Sequence, residues 1–273
     1  MPAAAYKGMA QFVNLGDAVI MKQCQTALLF SLLALSACTP DLYRVDVGAM
    51  FVQGDGAIAL QNGSGSLVLH DNQHDLSDNL GLGDTEAAPY LRFEFERELH
   101  RVRAHGFGFG SSGSGTLASN FGDIPSGSLV DSSMDFFGIS ATYAYEVLGD
   151  ENYRVGVGGM LGYYGLDIEA RTGALFESVD TDLLVPMPYA EAEYDFGQVV
   201  VGANLGFMGA DIRDANGRWV DFEAMIRWEP TGKMELLAGY RMIILDAYGQ
   251  ATQRDFDSDL EFEGFVLGGG VRF

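Results

Sequence analysis

The sequence predicts an all-β chain folded as an antiparallel up-and-down transmembrane β-barrel of about ten strands, with eight and twelve also open. Three observations carry this. Long stretches alternate between apolar and polar residues, the period-two signature of strands with one face to lipid and one to an interior. The connections between them alternate between tight turns and longer segments rich in Gly, Ser, Asp and Asn. Composition agrees, since 36 glycines and 12% aromatic residues suit crowded β-walls with aromatic girdles. Beyond the N-terminal region no run of ~18 apolar residues offers a spanning helix, so a chain that crosses a membrane must close as a barrel.

Taken in order, residues 1–20 read as an over-extended start, with Met21 the expected initiator. Residues 21–37 have the parts of a secretory signal: Lys22 as the positive n-region, Ala27 to Leu35 as the apolar h-region, and Ser36 and Ala37 as small residues at a cleavage site. The segment Leu35 to Cys38 resembles a bacterial lipobox, which implies lipidation at Cys38; ordinary signal cleavage is the alternative. Residues 38–273 are expected to form one barrel domain. Cys24 falls inside the signal, so no cysteine pair remains for an internal disulfide.

Ten candidate strands follow, over 42–54, 89–98, 101–112, 132–148, 152–170, 180–196, 198–212, 218–229, 233–249 and 257–273. The alternation is plainest where Val220, Phe222, Ala224, Ile226 and Trp228 face away from Asp221, Glu223, Met225 and Arg227. It recurs where Leu91, Phe93 and Phe95 alternate with Arg92, Glu94 and Glu96, and where Phe137, Ile139, Ala141, Tyr143 and Tyr145 alternate with small residues and Glu146. A helix would scatter these sets around its circumference. Tight turns are expected near Leu99, 148–151, Phe196 and 230–232, and long loops over 55–88, 113–131, 171–179 and 250–256. Within 55–88, the runs Ala57 to Leu60 and Ser66 to Leu69 leave open an extra hairpin. An aromatic girdle is expected from Tyr43, Phe51, Tyr145, Tyr153, Tyr194, Phe196, Trp228 and Phe273, because amphipathic rings prefer the headgroup level.

The formal net charge is −22, which disfavours nucleic acid as a partner because phosphate would be repelled. Lysine occurs only at positions 7, 22 and 233, and the arginines suit planar ion pairs inside a protein. Assigning strand faces by parity sends Arg44, Arg92, Arg101, Arg103, Arg154, Arg227, Arg241 and Arg272 to the interior. With them go the acids Asp46, Glu94, Glu96, Glu98, Glu146, Glu191, Glu193, Asp195, Asp221, Glu223 and Glu235. A ten-strand barrel is near the size at which side chains fill the lumen. Charges held there must be paired or hydrated, so the expectation is a plug of Arg–Asp/Glu pairs; a narrow, mildly cation-preferring pore is the alternative.

Other motifs are weaker. The segment His70 to Asp75 puts two imidazoles near carboxylates, but its polar surroundings read as a solvated loop, and no metal or cofactor is expected. The acids Asp255, Asp257, Asp259, Glu261 and Glu263 share one face beyond the lipid band. Asp255 to Asp259 opens like a calcium loop, but the sixth position is Leu260 and the twelfth Val266. Glycine runs at 106–110 and 156–159 lie within strands with no helix after them, which removes a dinucleotide reading. His105 shares the inner face with Arg103 and reads as a structural histidine. A rim-sited enzyme would have to draw on His70 or His74 with Asp71, Asp75 and Ser77, in a loop with no evident reason to hold catalytic geometry.

The run from Leu260 to Phe273 resembles the terminal strand of bacterial outer-membrane β-barrels, in which the assembly machinery reads the final aromatic. The order of Asp75 to Leu82, Arg92, His100 with Arg101, Ser128 to Phe137, Tyr143 with Tyr145, and Ala238 to Arg241 is similar to a group of small, monomeric proteobacterial outer-membrane barrel proteins. The lipobox ahead of the barrel departs from the usual pattern. The resemblance implies location in the outer membrane, outer-membrane lipid and lipopolysaccharide as surroundings, and Phe273 as an assembly signal, and it carries no activity to transfer. The expected function is a structural or envelope-interaction role. A diffusion channel and a rim-sited lipid A-modifying enzyme or protease are the alternatives.

Overall fold

The computed structural model describes residues 42–273 apart from 66, 213–214 and 252–253. The start over 1–20, the signal over 21–37 and Cys38 therefore lie outside the described residues. The elements in chain order are β1 (Leu42–Leu60), a 3-10 turn (Leu69–Asn72), β2 (His74–Asp75), β3 (Glu86–Arg97), β4 (His100–Thr116), β5 (Leu129–Gly149), β6 (Tyr153–Thr172), β7 (Leu175–Asp195), β8 (Val199–Ile212), β9 (Ala215–Thr231), β10 (Met234–Ala251) and β11 (Arg254–Arg272). They form one antiparallel sheet in the order β11 back to β3, then β1 and β2, and β1 pairs with β11 to close the ring. Among the described residues ten strands make the wall, and β2 is a two-residue addition on β1 opposite Ala57 and Ile58.

Closure is end to end. The β1–β11 register runs from Arg44 opposite Arg272 to Leu60 opposite Phe256. Phe273 extends it: Tyr43 N–H donates to its carbonyl at 2.8 Å, its own N–H donates to the Tyr43 carbonyl at 3.0 Å, and the two rings stack at 5.7 Å. A closed ladder leaves few unpaired backbone groups, which is the condition for crossing hydrocarbon.

The wall sorts side chains by parity. Leu91, Ile139, Leu161, Leu184, Ile226, Phe265 and Leu267 lie exposed on the outer face, where a bilayer covers them. Tyr43, Tyr145, Tyr153, Tyr194, Phe196, Trp228 and Phe273 gather at the end that carries the tight turns and the C-terminus, whereas Phe51 lies farther up β1. Short turns and strand ends on one rim mark the periplasmic side.

The strands are longer than the sequence suggests. β5 has 21 residues, whereas a tilted strand crosses the bilayer in about 9–11. The excess rises above the membrane and takes up most of two of the expected loops. The segment 171–179 is not a loop: β6 and β7 run on to a turn at 173–174. β10 reaches Ala251 and β11 starts at Arg254, which shortens 250–256 in the same way. Ala57 to Leu60 continues β1 rather than starting a new hairpin, so twelve wall strands do not form. The physical reason is composition. Above the membrane both wall faces accept polar residues, so alternation weakens there while pairing continues.

Candidate functional site

The lumen is the candidate site, and its two halves differ. The periplasmic half is charged. Glu94 on β3 is its hub: it accepts hydrogen bonds from Arg44, from Arg92 at 3.1 Å and from Arg103 at 2.9 Å, with Arg101 at 3.8 Å. Arg101 also reaches Glu191 at 3.2 Å and Glu193 at 2.8 Å, and Arg227 reaches Glu193 at 3.1 Å. One level higher, Glu223 accepts from the Tyr90 hydroxyl at 2.8 Å, Asn204 at 3.2 Å and Arg92 at 3.4 Å. Asp221 takes both Arg241 Nε at 3.2 Å and Nη2 at 2.7 Å, and the Tyr164 hydroxyl at 3.0 Å. His105 meets Ser140 at 2.5 Å. All of these come from alternate positions on successive strands, so the period-two backbone stacks them in the lumen.

At the mouth, Arg154 pairs with Glu96 at 2.8 Å and Glu193 at 2.5 Å, and Arg272 pairs with Glu229. These groups and Glu146 line an open vestibule of about 380 Å³. Above it, between Arg92, Arg103, Glu191, Glu223 and Arg227, lies a cavity of about 10 Å³. That is the space of a single water. Asp46 and Glu235 lie deeper in the wall, on either side of Gly270, which is in register with both. A Cβ at position 270 would meet Asp46 Oδ1 at 1.9 Å, so only glycine fits between them.

Above the level of Tyr90 the lumen becomes apolar. The seam is Arg241, whose guanidinium lies 5.0 Å from the Phe107 ring centre. Phe109, Phe136 and Phe262 cluster there, with the last two rings 4.3 Å apart. Leu76, Leu80 and Leu82 insert from the segment between β2 and β3, and Leu117, Phe121 and Ile124 from the segment 117–128, all buried in one apolar cluster with the wall. Glycines on β4 make room: a Cβ at Gly113 would meet the Gly81 carbonyl at 1.9 Å, and one at Gly115 the Asn79 carbonyl at 2.0 Å. The turn that starts the inserted segment is set by Asp75, whose Oδ1 accepts from Ser77 N, Ser77 Oγ and Asp78 N at 2.8 Å each. Arg254 ties the top together, binding Glu177 at 2.5 Å and Asp123 at 3.3 Å.

Against the sequence expectations, the lumen charges Arg44, Asp46, Arg92, Glu94, Arg103, Glu191, Asp221, Glu223, Arg227 and Arg241 are placed buried and inward. Glu96, Glu146, Arg154 and Glu193 are half-buried at the mouth, and Glu98 and Asp195 are exposed on its rim. Glu229 joins the network as well: it continues the inward face of Asp221, Glu223 and Arg227 at the lower end of β9, and the same parity would have nominated it. The segment His70 to Asp75 is solvated only in part: His70 and Asp71 are exposed. His74 is fully buried, edge-on to Phe121 at 5.6 Å and 3.1 Å from Ser119 Oγ. Burial holds its imidazole below the ordinary value of 6.5. Asp75 is turned away into its own turn, so the suggested rim constellation is not assembled. Among the described residues no group of His, Cys, Asp and Glu is arranged to hold a metal ion. The apolar upper plug is the feature sequence reasoning missed. Its signal was the spacing of Leu76, Leu80 and Leu82 in a segment otherwise polar.

No family model matches the chain, and no curated protein matches it. Among solved structures it is similar to the outer-membrane protease OmpT of Escherichia coli, at a TM-score of 0.55 and 12% identity over 86% of this chain and 97% of that one. Weaker likenesses are to the attachment invasion locus protein Ail of Yersinia pestis (TM-score 0.33, 11% identity, 86% of this chain and 100% of that one) and to the outer membrane protein AlkL (TM-score 0.37, 15% identity, 86% and 91%). At 12% identity the likeness to OmpT is one of fold. The chain has the fold of the outer-membrane β-barrels, and with its apolar outer belt this places it in the bacterial outer membrane.

Proposed function

We infer that this chain is a non-conducting outer-membrane barrel with a structural or envelope-interaction role. Its belt is held by outer-membrane lipid and lipopolysaccharide, its final strand is read by the assembly machinery at Phe273, and its long-strand end stands in the medium. One observation carries this reading: the lumen narrows from a vestibule of about 380 Å³ to a void of about 10 Å³ within the charged half. Ring charges select ions only where water reaches them, and here the arginines and carboxylates are spent on each other. The apolar plug above adds a second closure that a hydrated ion would have to displace.

Single-channel conductance of the refolded chain in a planar bilayer tests it. Silence is expected from protein whose heat-modifiable mobility demonstrates a folded barrel. Discrete cation-preferring steps, reduced by Glu191→Gln or Glu223→Gln, would overturn the reading in favour of a narrow pore.

A further inference from the structure

The wall is not equally closed all round. β7 and β8 pair only from Tyr189 opposite Gly206 to Asp195 opposite Val200. Yet β7 extends up to Leu175 and β8 to Ile212. The β3–β4 ladder also stops short, at Tyr90 opposite Phe107, but there the chain fills the space itself, with Gly81 and Asn79 against Gly113 and Gly115. At β7–β8 no described segment takes that place in the ladder.

Sequence explains the interruption. Pro186 and Pro188 have no N–H, and alternate residues of a strand address the same neighbour, so both leave one edge of β7 without donors. The ladder to β6 continues through Pro186 opposite Leu161 and Pro188 opposite Gly159, so the impoverished edge is the one facing β8. The position lies in the outer-leaflet half of the belt, above Tyr194 and flanked outside by exposed Leu184 and Phe207. Just inside stand Leu183 and Met208, partly buried against the apolar cluster, and behind them Met160 and Met187. At the sill, methionine side chains pack directly over Gly206: a Cβ there would meet Met160 Sδ at 2.7 Å and Met187 Sδ at 3.4 Å. Outside, an open apolar groove over Ala141, Gly159 and Leu161 ends at Pro186 and Pro188, on the β6 side of β7.

We propose that the β7–β8 slot is a binding site for one acyl chain of an outer-leaflet lipid, seated between Pro188 and Phe207 with its end against Met160, Met187 and Met208. An added β-strand does not fit, because the proline edge offers too few donors to hold it. A hydrocarbon needs none, and flexible methionines adapt to its shape. The apolar rim meets lipid directly, so the chain enters from the membrane rather than along the barrel axis. Below the slot, Asp221 with Tyr164 and Arg241 ends the path.

The chain has two tryptophans, Trp219 buried opposite Met208 and Trp228 on the outer wall, so Trp228→Phe leaves a native reporter beside the slot. The protein is refolded into vesicles of phospholipid brominated deep in the acyl chain. Trp219 quenching is expected to be at least twofold stronger in Trp228→Phe than in the same protein carrying Gly206→Leu, which fills the sill. Pro186→Val with Pro188→Val, which restores donors and lets the ladder close, should lower quenching to the same degree and decides the question if the leucine variant does not fold. Equal quenching in folded open and closed variants would overturn the proposal. So would a dimer cross-linked through the β7 edge without a change in quenching, which would indicate strand addition by a second copy.

Discussion

The two halves of the lumen are closed by opposite means. Below Tyr90 the filling is ionic, and each group depends on several named partners: Glu94 alone is shared by Arg44, Arg92 and Arg103. Above it the filling is hydrocarbon, and Leu76, Leu80, Phe136 and Phe262 need only neighbours of the right size. The difference follows from who supplies the filling. The lower half is filled by the wall's own side chains, at fixed spacing on rigid strands, which suits directional arginine–carboxylate geometry. The upper half is filled by wall rings such as Phe136 and Phe262 together with leucines inserted from the segments between strands, and their fit is set by volume. The ionic half should therefore fail abruptly and as a unit, the apolar half gradually and locally.

The sharpest way to break that contrast is Glu94→Ala. It leaves several buried guanidinium groups uncompensated and is expected to cost about 3–5 kcal/mol, read by urea unfolding in detergent as a loss of whole-barrel stability. Added salt should not rescue it, because the partners are out of water. Next comes Leu80→Ala in the plug, a large-to-small change in a packed site worth roughly 2–5 kcal/mol. Here hydrogen exchange should rise over the segment 69–82 and the loop 117–128, while protection of β1 and β11 at their periplasmic ends is unchanged. If both variants lowered stability everywhere alike, the two halves would be one cooperative unit.

A smaller effect comes from pH. Since burial holds the folded His74 imidazole below 6.5, the unfolded segment takes up a proton first as the pH falls. The plug is therefore at full strength above about 6.5, loses stability as the pH drops through that value, and levels off once the folded imidazole also protonates. Hydrogen exchange over 69–82 at pH 5 and pH 7.5 should reveal the change, and His74→Phe should abolish it. The smallest expected effect is Arg272→Ala. Its pair with Glu229 lies at the open mouth, where such pairs are worth about 0–1 kcal/mol and are screened by salt. A loss above ~2 kcal/mol in the same unfolding measurement would mean that the mouth belongs to the buried network.

Sequence by itself determined the barrel class, the face of almost every wall residue, and thus which charges stand in the lumen. Alternation is a local property, and Asp221, Glu223 and Arg227 differ from Phe222, Ala224 and Ile226 whatever lies across from them. It also supplied the closing strand and its terminal aromatic. Only tertiary structure decided that Glu94 rather than Glu191 is the hub, because partners contributed by different strands meet through register and barrel shear. The same holds for Leu76, Leu80 and Leu82, which sit in the long loop expected over 55–88 and are buried where glycines of β4 admit the inserted backbone. Pro186 and Pro188 fall on the outward face of the strand expected over 180–196. That they end a ladder on one side and leave the other intact depends on which neighbour each edge faces, and that is fixed only when the ring closes.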